Sequence, residues 1–365
     1  MSAAAQVVQA PAAAALHPRA LPLVQVLRAV AALSVAFLHI TQQAGVFVGR
    51  PGEPAYGWLR PLPWDAGVDV FFVISGFVMV WSSMRLFGRR DAARLFLGRR
   101  IARIVPLYWA MTSLLVAVAL VSPHAISDGL ESIRYVVASY LFIPVQRPDG
   151  FIQPVFRLGW TLNYEMLFYA IFALFIRLQA RVAVPWVVAT IVVLAGIGRV
   201  LRPASPALAF WTDPIVLEFA FGVLLATLAL SGARLTPAPR LLLVFAALAL
   251  LVVSDRLPEL PRGLAYGVPC TLLMAAAVLA PVRPIRSRWT EFWVLLGDAS
   301  YALYLVHPFP MRAFEIVWLR LGWTGPAAVL AYIASAVVAT IVAAFALHRW
   351  LERPATAATR RLLHA

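Results

Sequence analysis

The stretch Val24–Ile40, VQVLRAVAALSVAFLHI, is apolar enough to enter a membrane yet carries Arg28 and His39. Ionisable side chains inside a spanning helix are costly, and they usually face the bundle interior or a water-filled path. The pair is therefore a candidate site. On a helix, the eleven-residue offset between them sets His39 roughly 16 Å from Arg28, over half of a hydrocarbon core about 30 Å thick. In the alternative, Arg28 snorkels to the headgroups and His39 is a hydrogen-bonded packing residue. The stretch by itself does not decide between them.

Composition settles the class. With 62% hydrophobic and 13% charged residues and a mean hydropathy of +0.84, the chain is too apolar for a soluble protein of 365 residues. It is expected to be an all-α integral membrane protein. The formal charge of +15 would suggest nucleic acid in a soluble chain, but here every one of the 31 basic residues is arginine and most of that charge reads as topology, with no nucleic-acid partner. A single cysteine, Cys270, excludes an intrachain disulfide. Residues 1–21, rich in Ala, Gln and Pro, read as a disordered cytoplasmic tail. A signal peptide over 19–44 is the rival reading, although the apolar run is long and Gln42-Gln43-Ala44 is a poor cleavage site.

Ten apolar runs approach the length needed to cross: about 24–46, 66–84, 101–121, 158–178, 182–199, 211–230, 240–254, 263–281, 293–311 and 326–348. They predict a bundle of about ten transmembrane helices over 22–350, with no appended soluble domain and a short cytoplasmic tail at 351–365. Arg85, Arg89, Arg90, Arg94, Arg99 and Arg100 crowd the loop before the third run, with Arg103 just inside it. The positive-inside rule assigns that loop to the cytoplasm. Alternate loops then carry Arg177 and Arg181, Arg234 and Arg240, Arg283, Arg286 and Arg288, and Arg349, Arg353, Arg360 and Arg361 to the same side. With Arg19 and Arg28 they place 20 of the 31 arginines inside, and both termini with them. The connection 122–157 lies outside, and its apolar stretch Tyr135–Ile143 is too short to span.

Polar residues within the runs then sort by depth. Asp69 enters from the outer side, and Glu165 lies about six residues below the outer surface. His307, nine residues beyond Asp298, lies roughly 13 Å further out. His39, Asp69, Glu165 and His307 are thus predicted to share an outer layer, and Arg28, Arg99, Arg100 and Arg103 an inner one. For any one of them a helix-packing hydrogen bond is a sufficient explanation; four at matched depth favour a site. No metal site is read from the sequence.

These residues carry a resemblance. The Arg28-x10-His39 pair, GVDVFFVISGF, RRIARIVPLYW from Arg99 to Trp109, GWTLNYEMLFY from Gly159 to Tyr169 and GDASYALYLVHP from Gly297 to Pro308 resemble the third acyltransferase family of bacterial membrane O-acyltransferases, over about residues 22–350. The runs Leu141–Pro144 and Asn163–Glu165 are similar to the exopolysaccharide acetyltransferases. The resemblance implies transfer of an acyl group, commonly acetyl, from cytosolic acyl-coenzyme A to a hydroxyl of a polysaccharide or its lipid-linked precursor. Acyl-CoA would then be a co-substrate, with no tightly bound cofactor, and the site would be the bacterial inner membrane, in contact with its lipids.

The residue chemistry is compatible with that implication. Arg is the side chain best shaped for forked phosphate contacts, so Arg28, Arg99, Arg100 and Arg103 are candidate handles for the donor; orientation and anionic lipid alone also produce Arg-rich loops. A neutral His39 is the form a general base requires, and Asp69 or Glu165 could orient it or stabilise the imidazolium. A covalent acyl-imidazole on His39 is equally compatible with the sequence. Ser75, Asn163 and Tyr164 are candidate donors to the developing oxyanion or the substrate. Three rivals stay open: a flippase or transporter of a lipid-linked saccharide, a scaffolding subunit of an export machine, and an O-acyltransferase for a small-molecule acceptor.

Overall fold

The protein is described by a computed structural model, covering residues 21–49, 51, 53, 55–57, 63–122, 130, 132–254, 259–281 and 287–365. Residues 1–20 of the expected N-terminal tail, with Arg19, as well as Arg283 and Arg286, lie outside the described residues, and Leu21 caps the first helix. Within them the chain is a helix bundle. A lone bridge between Gln146 and Ile152 is the only strand-like pairing among them.

Eight of the ten runs form helices long and apolar enough to cross a membrane: Pro22–Val48, Trp64–Ser83, Ala92–Val121, Arg157–Phe175, Ala180–Leu201, Pro206–Leu230, Pro237–Ser254 and Pro326–Leu362. The other two runs are helical but shorter or broken. The first comprises α10 (Arg262–Ala265) and α11 (Gly267–Val278), with Pro269, which has no N–H to donate, in the first turn of α11. The second is divided into α12 (Arg288–Asp298), α13 (Ser300–Val306) and α14 (Pro308–Leu321). Pro308 cannot donate to the helical ladder, so the run is interrupted at His307. His307 consequently occupies a joint between two helices.

Helix α1 (Pro22–Ala44) is central, packing against α2 (Gly67–Ser83), α11, α12, α13, α14 and α15 (Pro326–Leu347). Helix α2, apolar apart from Asp69 and its serines, has no continuous polar face and is buried nearly throughout. Its partner is α8 (Leu217–Leu230). Glycine makes their approach possible, because a Cβ on Gly76 would lie 2.1 Å from the carbonyl oxygen of Phe219, and one on Gly222 2.0 Å from that of Val73. Such small-residue contacts bring backbones together where no hydrophobic force drives helices together. At the periphery, α6 (Ala180–Leu201) and α9 (Pro237–Ser254) expose Val192, Val193, Leu241, Leu242 and Phe245. Exposed apolar belts of this length are lipid-facing surface.

Candidate active site

Helix α3 (Ala92–Val121) brings Arg100 and Arg103 to a cavity inside the bundle. Arg28 from α1, Ser75 from α2, and Glu165 and Tyr169 from α5 (Trp160–Phe175) line the same cavity, as do Ser300, Tyr301 and Tyr304 from α13. Its remaining walls are largely apolar, including Phe71, Phe72, Ile74 and Leu162. Buried Arg28 donates through Nε and Nη2 to Ser300 Oγ at 3.2 and 3.0 Å, which leaves its other N–H groups available to a ligand. Arg100 donates to Ser82 Oγ at 2.8 Å while its Nε is buried without a partner. Glu165 accepts a hydrogen bond from Ser75, and its second oxygen, Oε2, is unpartnered among the described residues. Several charge-bearing groups with unused valences thus converge on one chamber.

Beyond the cavity lies a histidine pair. His39 Nδ1 and His307 Nε2 are 2.8 Å apart, and their rings stack at 5.1 Å. His307 is fully buried and His39 only partly. Helix α13 and the joint that follows it connect the two regions, because Ser300, Tyr304 and His307 are spaced by four and three residues and the His307 N–H still donates to Leu303 O at 3.2 Å. Ser300 holds Arg28, Tyr304 lines the cavity, and the His307 ring stands 6.1 Å from that of Tyr304. At the boundary Tyr304 donates to Leu158 O at 3.1 Å and meets Phe71 edge-on. Helix α1 makes the same connection from its own side, through Arg28 and His39.

The structure does not join all the singled-out residues to this pair. Asp69 lies elsewhere: Arg262 donates through Nε and Nη2 to its two oxygens at 3.0 and 2.7 Å, and through Nη1 to Asp65 at 2.9 Å. Glu165 faces the arginines, with no hydrogen bond to either histidine. Tyr164 is stacked on Phe210 at 4.0 Å within an aromatic cluster that includes Phe72, and Asn163 is buried with neither amide atom paired among the described residues. Ser75 lines the cavity, whereas Arg99 lies beside it without lining it.

Two residues of the buried charge network are not among those that depth along the apolar runs singles out. Arg262 stands just before the run 263–281, at the start of α10. Glu218, buried in α8 next to Asp69, meets the same criterion that singled out Asp69 and Glu165, a carboxylate within an apolar run. Applied evenly, the criterion finds it.

A many-helix bundle with an arginine-lined chamber next to a histidine pair defines a multi-pass membrane protein with an internal polar site. The chain belongs to the family described as the acyltransferase domain, whose model matches residues 23–349, and it is an enzyme that transfers acyl groups. It is 35% identical over 296 residues to the exopolysaccharide production protein ExoZ of Rhizobium meliloti (strain 1021), covering 79% of this chain and 88% of that one. It is 31% identical over 366 residues to the acyltransferase MdmB of Streptomyces mycarofaciens, covering 92% of this chain and 91% of that one. No solved structure matches the chain.

Proposed function

We propose that the chain carries an acyl group, most simply acetyl, from acyl-coenzyme A at the arginine cavity to a hydroxyl of a polysaccharide or lipid-linked saccharide at the histidine pair. The carrying observation is that two segments each tie the cavity to the pair: α1 through Arg28 and His39, and α13 with the joint after it through Ser300 and His307. The name of the Rhizobium relative supports a polysaccharide acceptor. The arginine-rich end faces the cytoplasm of a bacterial inner membrane, where coenzyme A is available, and the phosphates are held there by Arg28, Arg100 and Arg103. The pantetheine arm covers the roughly 16 Å between Arg28 and His39, so the nucleotide need not cross.

In the tautomer that suits catalysis, His39 Nδ1–H donates to His307 Nε2, which leaves the lone pair of His39 Nε2 free. That nitrogen takes the acceptor's hydroxyl proton as the oxygen attacks the thioester carbonyl. Collapse of the tetrahedral intermediate breaks the C–S bond, and the proton passes from His39 to the departing thiolate. The products are an ester and free coenzyme A. His307 orients His39, as the third member of a catalytic triad orients its base.

The test separates binding from transfer. His39→Gln should retain acyl-CoA affinity and lose transfer, since Gln hydrogen-bonds but does not accept a proton. Arg28→Ala should weaken acyl-CoA binding and lose turnover as a consequence. Folded His39→Gln protein that acylates polysaccharide at the parent's rate would refute the mechanism.

A further inference from the structure

We infer that Arg360, on the C-terminal helix α16 (Arg353–Leu362), completes with Arg99 and Arg103 a binding site for the donor nucleotide's outlying phosphate, the 3′-phosphate on its ribose. The inference rests on the acyl-coenzyme A reading above and extends it to α16. Helix α15 does not simply continue into α16. A π-helical turn, His348–Glu352, intervenes, pinned by a 2.8 Å contact between His348 Nδ1 and Glu352 Oε2, and α16 then packs against α3. The seat is close. A Cβ added to Gly98 would lie 2.6 Å from the Cβ of Ala365 and 3.7 Å from that of Leu363. The end of the chain is thereby held at the level of Arg99, and the Ala365 N–H donates to the Arg360 carbonyl at 3.1 Å, closing the turn that carries Arg360.

Packing of α16 on α3 brings Arg360 to the helix that carries Arg99 and Arg103, and both of those charges act on it. Gathering like charges is unfavourable unless counter-charge is supplied. Among the described residues none of the three has a carboxylate partner or a hydrogen bond, and the adjacent Arg100 leaves its buried Nε unpaired. Guanidinium groups so arranged match the oxygens of a phosphate. Position along α3 selects which phosphate. Helix α3 runs from the arginine-rich end toward the level of the histidine pair, so Arg99 precedes Arg100 and Arg103 and lies farther from His39. In a donor whose thioester points to His39, the 3′-phosphate lies at the opposite end of the molecule and falls to Arg99 and Arg360.

Lipid phosphate would suit the same arginines, so the test separates the two sources. Affinities for coenzyme A and for 3′-dephospho-coenzyme A are measured on the full chain in nanodiscs of zwitterionic lipid, then with anionic phosphatidylglycerol added. The parent should prefer coenzyme A by about tenfold, the effect expected of one charge-assisted phosphate contact. Arg360→Gln should lose most of that preference, leave 3′-dephospho-coenzyme A binding unchanged, and be partly rescued by Arg360→Lys. Arg28→Ala should instead weaken both ligands alike. If Arg360→Gln keeps the parent's preference and changes only the response to anionic lipid, the arginine serves headgroups and the assignment is wrong. If the parent binds neither ligand, the donor reading falls and takes this site with it.

Discussion

His39 and His307 come from opposite ends of the sequence yet share one hydrogen bond, so the properties of either depend on the other. With His307 removed, His39 keeps its place on α1 but loses the acceptor that fixes its ring and tautomer. His307→Ala should therefore lower turnover by about ten- to a hundredfold with acyl-CoA affinity unchanged. His307→Gln, whose side-chain carbonyl can accept from His39, should recover part of the loss, which a merely space-filling residue would not show. Stopped-assay transfer rates beside equilibrium binding measure both. At this scale the sequence was informative about depth and silent about azimuth. Counting residues along α1 and through the His307 run brings both histidines to one level, and they touch. The same count groups Asp69 and Glu165 with them, but Asp69 is turned toward Arg262 and Glu165 toward the arginine cavity, because depth does not say which neighbour a helix face meets.

At the scale of elements, apolar length exposes the helices that cross in one piece, and Pro308 marks the joint at His307. The contact between α2 and α8 is less legible, since Gly76 and Gly222 lie far apart in sequence and show their purpose only where the backbones meet. Gly222→Ala would force a Cβ to within 2.0 Å of the Val73 carbonyl oxygen, and overpacking of this kind costs about 1–3 kcal/mol. Thermal unfolding in detergent should show a clear loss of stability for Gly222→Ala, while Gly196→Ala, with open space around its Cβ position, should match the parent. A second element-scale link is the clamp of Arg262 on Asp69, which ties α10 to α2. Asp69 is fully buried, and removing one partner of a buried ion pair costs about 3–5 kcal/mol because the other charge is stranded. Arg262→Ala should be strongly destabilising, and adding Asp69→Ala should give back part of that loss. Additive losses in that double-mutant cycle would show that the pair contributes nothing as a pair.

For the whole molecule, the decisive property is which end faces which compartment, because the proposed transfer across the membrane requires the arginine cavity and the histidine pair to open to different sides. The arginine census predicts that direction. Arg85, Arg89 and Arg90 crowd the connection between α2 and α3, Arg94 follows in the first turn of α3, and the residues after α15, among them Arg349, Arg353, Arg360 and Arg361, return to the same end. By the positive-inside rule this end is expected to be the cytoplasmic one. The opposite end holds the connection from α3 to α5, where Pro148 is exposed. In a Cys270→Ala background, which removes the chain's only thiol, Arg90→Cys should be labelled by a membrane-impermeant maleimide only after the cytoplasmic face is opened. Pro148→Cys should be labelled from the periplasmic side in intact spheroplasts. The two positions are separated by the single crossing of α3, whose middle residues Tyr108 and Trp109 donate to Ser139 O and Tyr140 O of the later connection, so a single orientation fixes both outcomes. Labelling of the pair in the reverse sense would place the arginine cavity away from the coenzyme A pool, and the proposed direction of transfer would be wrong even with every side chain in the cavity unchanged.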